Sequence, residues 1–584
     1  MDDMGAAGDI EIFRHRLGSI VEEMGATLQR TAYSTNIKIR RDHTCALFDA
    51  ELRHIAQHDI APQHIGTLIS LVPSAIQRLS IDLEPGDGVL INDPYQGTGA
   101  LHLPDVVLIC PLFADGDLVA YAANSAHHVD IGGSSGGGIP PTSTELYQEG
   151  LILPGIRAVR NWEYEDNVLT LVTRNVRGTD QRRGDYEAQL GANRIGQERY
   201  RSLVEEHGRE TVEDSLDGLL DYTERRLRAA IADLPDGEYH AEDTMDGDGI
   251  VEEPLPLSLT VEVDGTDITF DFTGTAEENA GPLNCTPALA FAGALYSIMA
   301  LLGTEFPKND GFYRPFETIT PKGTMVNPSK DSPVAGGAEI AVRIADLVLA
   351  ALADALPEET VAGGKGTIVN LSYSGEDPRT DEDYVYYETV AGGYGARATK
   401  DGMEAVQAHY QNTANSPIEE LEAEIPLYVR RYELIPDSAG AGRTRGGLGV
   451  RRDMEFYDHE ASFTVLADRA TAPPKGLFGG RNAITARYCV NPDGDDPVDL
   501  GSKRQVTLDP GDVASVQTPG GGGYGDPLER APVAVRDDVV NGKLSVDYAR
   551  EVYGVVVDPE TGEIDDQATA ERRAELAAEP EGAV

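Results

Sequence analysis

GDGVLINDPYQGTGALHLPDVVLICPLFADGDLVAYAAN, Gly86–Asn124, alternates short apolar runs with Gly, Pro and Asp. That pattern reads as strands joined by tight turns. VVLICPLF (Val106–Phe113) and LVAYAAN (Leu118–Asn124) read as two adjacent strands of a hairpin. A hairpin of that length brings its two ends together. Upstream, Phe13, Leu17, Ile20, Val21, Met24 and Leu28 recur at helical spacing between Ile10 and about Thr35. A strand, CALFDA (Cys45–Ala50), and a second helix, HIGTLISLVPSAIQRL, lie between that helix and the hairpin.

Downstream, the pattern keeps mixing the two periods. GANRIGQERYRSLVEEHGRETVEDSLDGLLDYTERRLRAAIADL is helical with a break at Gly208. PLSLTVEVDGTDITFDFTGTA is a hairpin about Asp264-Gly265. Helices are expected at Pro287–Leu302 and Glu339–Leu356, and from about Pro426 the chain turns β-rich with many Gly-bounded segments. The expected fold class is α+β: a large multi-subdomain protein with mixed or antiparallel sheets and a β-rich C-terminal part. Approximate units are 1–240 (α/β), 241–425 (mixed α+β) and 426–528 (β-rich). An acidic extension, 529–584, follows, and its last stretch reads as an exposed helix or frayed tail.

Charge excludes whole classes of function. The 584 residues carry 99 acids against 48 Lys and Arg, a net charge of -51. A polyanion of this kind is repelled by nucleic acid and by anionic membranes. Nine of the basic residues are Lys, and the acids are dispersed along the chain. Such a surface repels itself unless counter-ions screen it, which points to a high-salt, halophilic cytosol. Cys45, Cys110, Cys285 and Cys489 lie far apart without a CxxC, so neither a disulfide scaffold nor a Cys-based zinc site is expected. No secretory leader is apparent, and the longest apolar stretch, Pro287–Gly303, reads as a buried helix; the expected location is cytoplasmic.

The strongest chemical signal is His102-Leu103-Pro104-Asp105 followed by His127-His128-Val129-Asp130. Imidazole and carboxylate together are ligands for Zn, Mn or Fe with coordination positions left open. The hairpin between the two motifs lets His102, Asp105 and His127 converge. By spacing alone these residues also fit ordinary hydrogen-bonding loop histidines. His64 lies upstream in HDIAPQHIG. The Gly-rich DIGGSSGGG (Asp130–Gly138) resembles a phosphate loop of actin-like ATPases, yet no second such loop and no GxxxxGK[ST] occurs. Arg443 and Arg445 between glycines suit either an anion clamp or structural ion pairs. No GxSxG nucleophile motif is present.

Taken in order, the blocks resemble the hydantoinase B / 5-oxoprolinase family. They include STNIKIRRDHTCALFDAE, NDPYQGTGALHLPDVVL, AHHVDIGG, YQEGLILP, TRNVRGTDQRRGDYEAQLGA, DFTGTAEENAGPLNC, NTANSPIEELE, DSAGAGRTRGGLG and TPGGGGYGDP. The resemblance spans residues 1–528 as one catalytic region. It implies that His102, Asp105 and His127 are ligands of one divalent metal (Mn, Zn or Fe). His128 and Asp130 become catalytic, substrate-facing candidates. It also implies a hetero-oligomer with an A-type ATPase subunit, which supplies the ATP site that this chain has no loop for. The implied reaction is ATP-dependent hydrolysis of a cyclic amide or imide C–N bond. The runner-up is the α-type subunit of an acetone carboxylase-like enzyme. One departure is Gly97-Thr98-Gly99-Ala100-Leu101, where many relatives read Gly-Gly-Thr.

Overall fold

The computed structural model describes residues 2–578 apart from 59, 61, 100, 304 and 305, with side chains from residue 10 onward. Residues 579–584, the end of the expected tail, lie outside it. Helix α1 (Asp2–Thr31) opens the chain. The apolar stripe read from the sequence is its core face: Phe13, Leu17, Ile20, Val21, Met24 and Leu28 are all buried. Burial of each such side chain contributes about 1.5–3 kcal/mol.

That stripe packs on a seven-stranded antiparallel sheet of β1 (His43–Asp49), β2 (His54–Gln57), β3 (Gly88–Ile91), β4 (Asp105–Ala114), β5 (Asp117–His127), β6 (Pro154–Arg160) and β7 (Glu163–Tyr164). The strand order is β2-β1-β5-β4-β3-β6-β7. Helices α2 (Thr179–His207) and α3 (Arg209–Ile231) lie on the same side as α1, separated at Gly208 as the sequence indicates.

β4 and β5 form the hairpin of the opening stretch. Its two-residue turn is Asp115-Gly116, both at positive φ (53° and 92°), as a type I′ turn requires. Leu112 faces Ala120 but Phe113 faces Leu118, so Val119 is the extra residue of a bulge. Beyond it, the shifted register sets Asp105 directly opposite His127. With the same turn and no bulge, Asp105 would face Ala126.

A second sheet is built from Gly237–Met245, Leu255–Asp264, Asp267–Asp271 and Phe316–Ile319. Its hairpin turns at Gly265-Thr266, one residue later than the sequence reading, because Asp264 and Asp267 pair across it. Helices α4 (Pro287–Leu302) and α5 (Gly337–Ala351) pack against each other and cover this sheet. Sheets led by Asn370–Asp377 and by Leu427–Leu434 share the core of the β-rich part.

Between these sheets the Gly-rich segments form a bundle rather than more ladders. Gly520–Gly523 runs through its middle. Gly521 N–H donates to Gly447 O (2.9 Å), Gly522 N–H to Gly363 O (2.8 Å) and Gly523 N–H to Arg481 O (3.0 Å). Three successive residues thus bond three different neighbours, the directionality of a threefold extended helix. Such packing leaves no room for side chains: a Cβ on Gly521 would lie 2.1 Å from Tyr394 O. Residues 532–557 then close over the bundle, packing Val535, Leu544, Val552 and Tyr553 on Ala441. The fold is therefore α+β, with four sheets among the described residues. No described helix is long and apolar enough to cross a membrane.

Gly521→Ala is expected to destabilise the protein by roughly 2 kcal/mol or more, because backbone must move. Gly18→Ala, on α1 with nothing within 4 Å of its added methyl, is expected to be neutral or slightly stabilising. Thermal unfolding of both variants distinguishes this packing from a permissive Gly-rich loop.

Candidate metal centre

Strand pleating decides what each side chain at the open end of the hairpin can reach. Asp105 and His127, directly opposed, project to the same face as Val107, Ile109, Tyr121 and Ala123. His102 joins them from the Leu101–Pro104 turn. His102 Nε2 lies 2.9 Å from Asp105 Oδ2 and 3.2 Å from His127 Nδ1, and His127 Nδ1 lies 3.5 Å from Asp105 Oδ1. Among the described residues, His102, Asp105 and His127 are the one set of this kind gathered closely enough to share an ion.

All three are at least nine-tenths buried. Neither Asp105 oxygen has a properly directed hydrogen bond, although His102 Nε2 is close. Buried carboxylate oxygens ordinarily are hydrogen-bonded, so this orphaned pair needs an explanation. A cation bound at about 2.1 Å places neighbouring ligand atoms roughly 3.0–3.4 Å apart, close to the observed spacing. The donor set, two imidazoles and one carboxylate, suits Zn, Mn or Fe(II).

The surroundings aim these groups. Glu149 accepts the N–H groups of Val334 and Ala335 (both 3.0 Å) and the Ser143 hydroxyl (2.8 Å). Burial pushes Glu149 up to about 7. Ala335 O in turn faces His102 Nδ1 at 3.4 Å. Donation from Nδ1 to that carbonyl presents the Nε2 lone pair to the cluster. Burial disfavours charge on His102, but the adjacent Asp105 carboxylate prevails and holds it above its ordinary value. The same contact drives Asp105 well below the usual carboxylate range, against its burial. A proton and a metal ion therefore compete for these atoms.

Three neighbours escape a reading of the motifs alone. His64, fully buried, places Nε2 3.6 Å from Asp105 Oδ1; in the sequence it stands only as an upstream histidine. Asp42 stands 4.0 Å from His127 Nδ1, and its carbonyl accepts the His127 N–H at 3.1 Å. Asp42 continues the β1–β5 pairing one step past His43↔Ala126, a register that no local motif reveals. Tyr387, from the distant strand Glu382–Thr389, stacks on His127 with ring centroids 4.5 Å apart.

His128 and Asp130 are placed differently. Successive residues of an extended segment face opposite ways, so His128 turns toward α2. There Nε2 is 3.0 Å from Gln189 Oε1 and the ring stacks on Tyr186. Burial pushes His128 down to about 4. Its backbone N–H bonds Pro104 O (2.9 Å), tying the two motif loops together. Asp130 accepts N–H groups of Gly132 (2.9 Å), Gly137 (3.2 Å) and Arg177 (2.8 Å), and pairs with the Arg177 guanidinium at 2.9 Å. The Gly-rich loop thus spends these N–H groups on its own carboxylate. Arg445 is a structural ion-pair residue, buried against Glu404 (2.8 Å) and Asp538 (3.3 Å).

Comparison with known proteins follows the same outline. Residues 8–527 match the family described as hydantoinase B/oxoprolinase. The B component of a putative D-/L-hydantoinase from Pseudomonas sp. (strain NS671) is 34% identical, over 97% of both chains. The crystal structure of an ATP-dependent caprolactamase from Pseudomonas jessenii superposes with a TM-score of 0.89 at 30% identity, covering 97% of this chain and 99% of that one. A nucleotide-free acetone carboxylase structure superposes at 0.90 with 20% identity, covering 97% of this chain and 82% of that chain, a likeness of fold.

Asp105→Asn, which removes the charge but keeps the shape, is expected to abolish divalent-metal retention on gel filtration. His128→Gln, on the opposite face, is expected to retain it. Elemental analysis of the two purified variants checks both; full retention in Asp105→Asn would contradict the assignment of the cluster.

Proposed function

Because this chain belongs to the hydantoinase B/oxoprolinase family, we propose that it is the metal-bearing, B-type component of an ATP-dependent cyclic amidase. In this reading it hydrolyses a lactam or cyclic imide C–N bond together with an ATP-binding A-type partner. The observation that carries the proposal is the convergence of His102, Asp105 and His127 within 2.9–3.5 Å at a buried hairpin end. Similar chains are named as one component of a hydantoinase and as the beta component of a caprolactamase, which supports a partner. The caprolactamase also supports ATP-dependent chemistry on a ring amide.

His102, Asp105 and His127 would hold the ion (Mn, Zn or Fe), which when bound polarises a carbonyl oxygen and lowers the pKa of water. The protein's own groups do the rest. Glu149, through Ala335, fixes the His102 ring. Tyr387 fixes that of His127 by stacking on it, and the Asp42 carbonyl holds the His127 backbone N–H. His128 and Asp130 enter the proposal through the loops they hold beside the cluster. A narrow cavity opens onto His102 and His127, walled by Asp42, Gln63, Asn370, Tyr387, Thr389 and Gln411 among others. At about 10 Å³ it has room for one water-sized group, and with Leu101, Ala338 and Ile368 also in its wall it can admit a single substrate oxygen beside the cluster. The acidic surface belongs to the same proposal: the enzyme works in a high-salt cytosol, where a Debye length of a few ångströms screens the charge.

Reconstituted with its A-type partner, the chain is expected to open a lactam or hydantoin-type ring only when ATP is supplied, without need of bicarbonate. His102→Ala is expected to lower that rate at least 100-fold, read by product formation. ATP-independent turnover, or an unaffected His102→Ala complex, would refute the reading. Separately, the thermal midpoint is expected to rise steeply from 0.1 to about 3 M potassium chloride as self-repulsion is screened; a flat profile would contradict the halophilic component.

A further inference from the structure

Arg40 is a buried guanidinium, 1% exposed, that takes part in no ion pair with a described residue. Its acceptors are neutral: Tyr387 O at 2.9 Å, Thr389 Oγ1 at 2.7 Å and Thr413 Oγ1 at 3.4 Å. The Tyr387 ring, with its centroid 5.4 Å from Arg40 Cζ, gives partial compensation; with no carboxylate among its described partners, the buried charge still favours an anion nearby. Both threonines line the cavity that opens onto His102 and His127.

Counting protons shows where that charge is directed. Thr389 Oγ1 accepts from Arg40 and from Gln407 Nε2 (3.1 Å), which uses both of its lone pairs. Its own O–H must therefore donate, and Thr413 Oγ1 is 3.0 Å away. Thr413 Oγ1 then accepts from Thr389 and from Arg40, leaving its own O–H to point onward. No described residue accepts it. Asp42, the carboxylate on the same cavity wall, is engaged by Gln63 Nε2 at 2.9 Å and Asn36 Nδ2 at 3.5 Å.

We propose that this cavity binds an anionic oxygen of the substrate through the Thr413 hydroxyl, with Arg40 as the positioning residue that polarises it through Thr389. The oxygen belongs either to a carboxylate on the ring compound or to a phosphoryl group added by the ATP-using partner. Calling the anion a substrate group rests on the ring-opening reading above; the hydroxyl chain does not.

The test is calorimetric titration of the full-length chain with inorganic phosphate and, separately, with acetate. Saturable binding of one anion per chain is expected, weakened roughly 10- to 100-fold in Thr413→Val and restored in Thr413→Ser. Stronger binding of phosphate assigns the phosphoryl group; equal or stronger binding of acetate assigns the carboxylate. If neither anion binds the wild-type chain, or if Thr413→Val binds as well as wild type, the proposal falls. The wild-type titration alone decides the first point should the variant fail to fold. Loss of ATP-dependent ring opening in the reconstituted complex would instead overturn the function proposed above and leave the binding result standing.

Discussion

The bulge at Val119 is the constraint on which the centre depends. A strand has a period of two, so one extra residue changes which side chains are neighbours all the way to the hairpin's end. Here it sets Asp105 opposite His127 and sends both to one face. The same alternation sends His128 to the other face, against Gln189 and Tyr186. Adjacent histidines thereby acquire separate environments, one sharing a carboxylate with His102 and one packed as a neutral ring in the core.

Support for the centre comes from far along the chain. Tyr387 and Thr389, on a strand of a different sheet, form part of the cavity wall, and Arg40 bonds to the backbone or hydroxyl of each. That strand is paired within the β-rich part, whose Gly-rich segments interlock without side chains. The glycine bundle is consequently more than a connector: its close packing fixes loops on either side of the shared core. Buried ion pairs add a second kind of tie, as where Arg343 joins Asp243 (3.1 Å) to Asp468 (2.6 Å) across the second and third sheets. Such pairs contribute little net energy but penalise any arrangement that separates them.

Much of this is legible in the sequence where the signal is local. The helical stripe of α1, the break at Gly208, the α4 boundaries and the Val106–Asn124 hairpin all follow from periodicity and turn chemistry. The His102–Asp105–His127 convergence follows from placing a hairpin between two motifs. What stays hidden depends on register or on contacts distant in sequence. Asp42 reaches His127 through strand pairing, Tyr387 through packing between sheets, and the role of Gly520–Gly523 through several segments meeting. In the sequence those glycines stand only as bounds of β-rich segments, because a threefold extended bundle has no periodic side-chain signature. The one-residue difference at Gly265-Thr266 has a related cause: Asp-Gly is a favoured turn pair, but strand register decides the turn.

Strand register sets Asp105 opposite His127, and the turn before β4 adds His102, so that the three lie closely enough to share one divalent cation. The proposed cation is tested most directly by an anomalous difference map, recorded across the Mn, Fe and Zn absorption edges in crystals of the purified chain. One peak per chain is expected, about 2.0–2.3 Å from a nitrogen of each histidine and an oxygen of Asp105. A metal peak elsewhere, with these three side chains hydrogen-bonded to one another, would contradict the assignment.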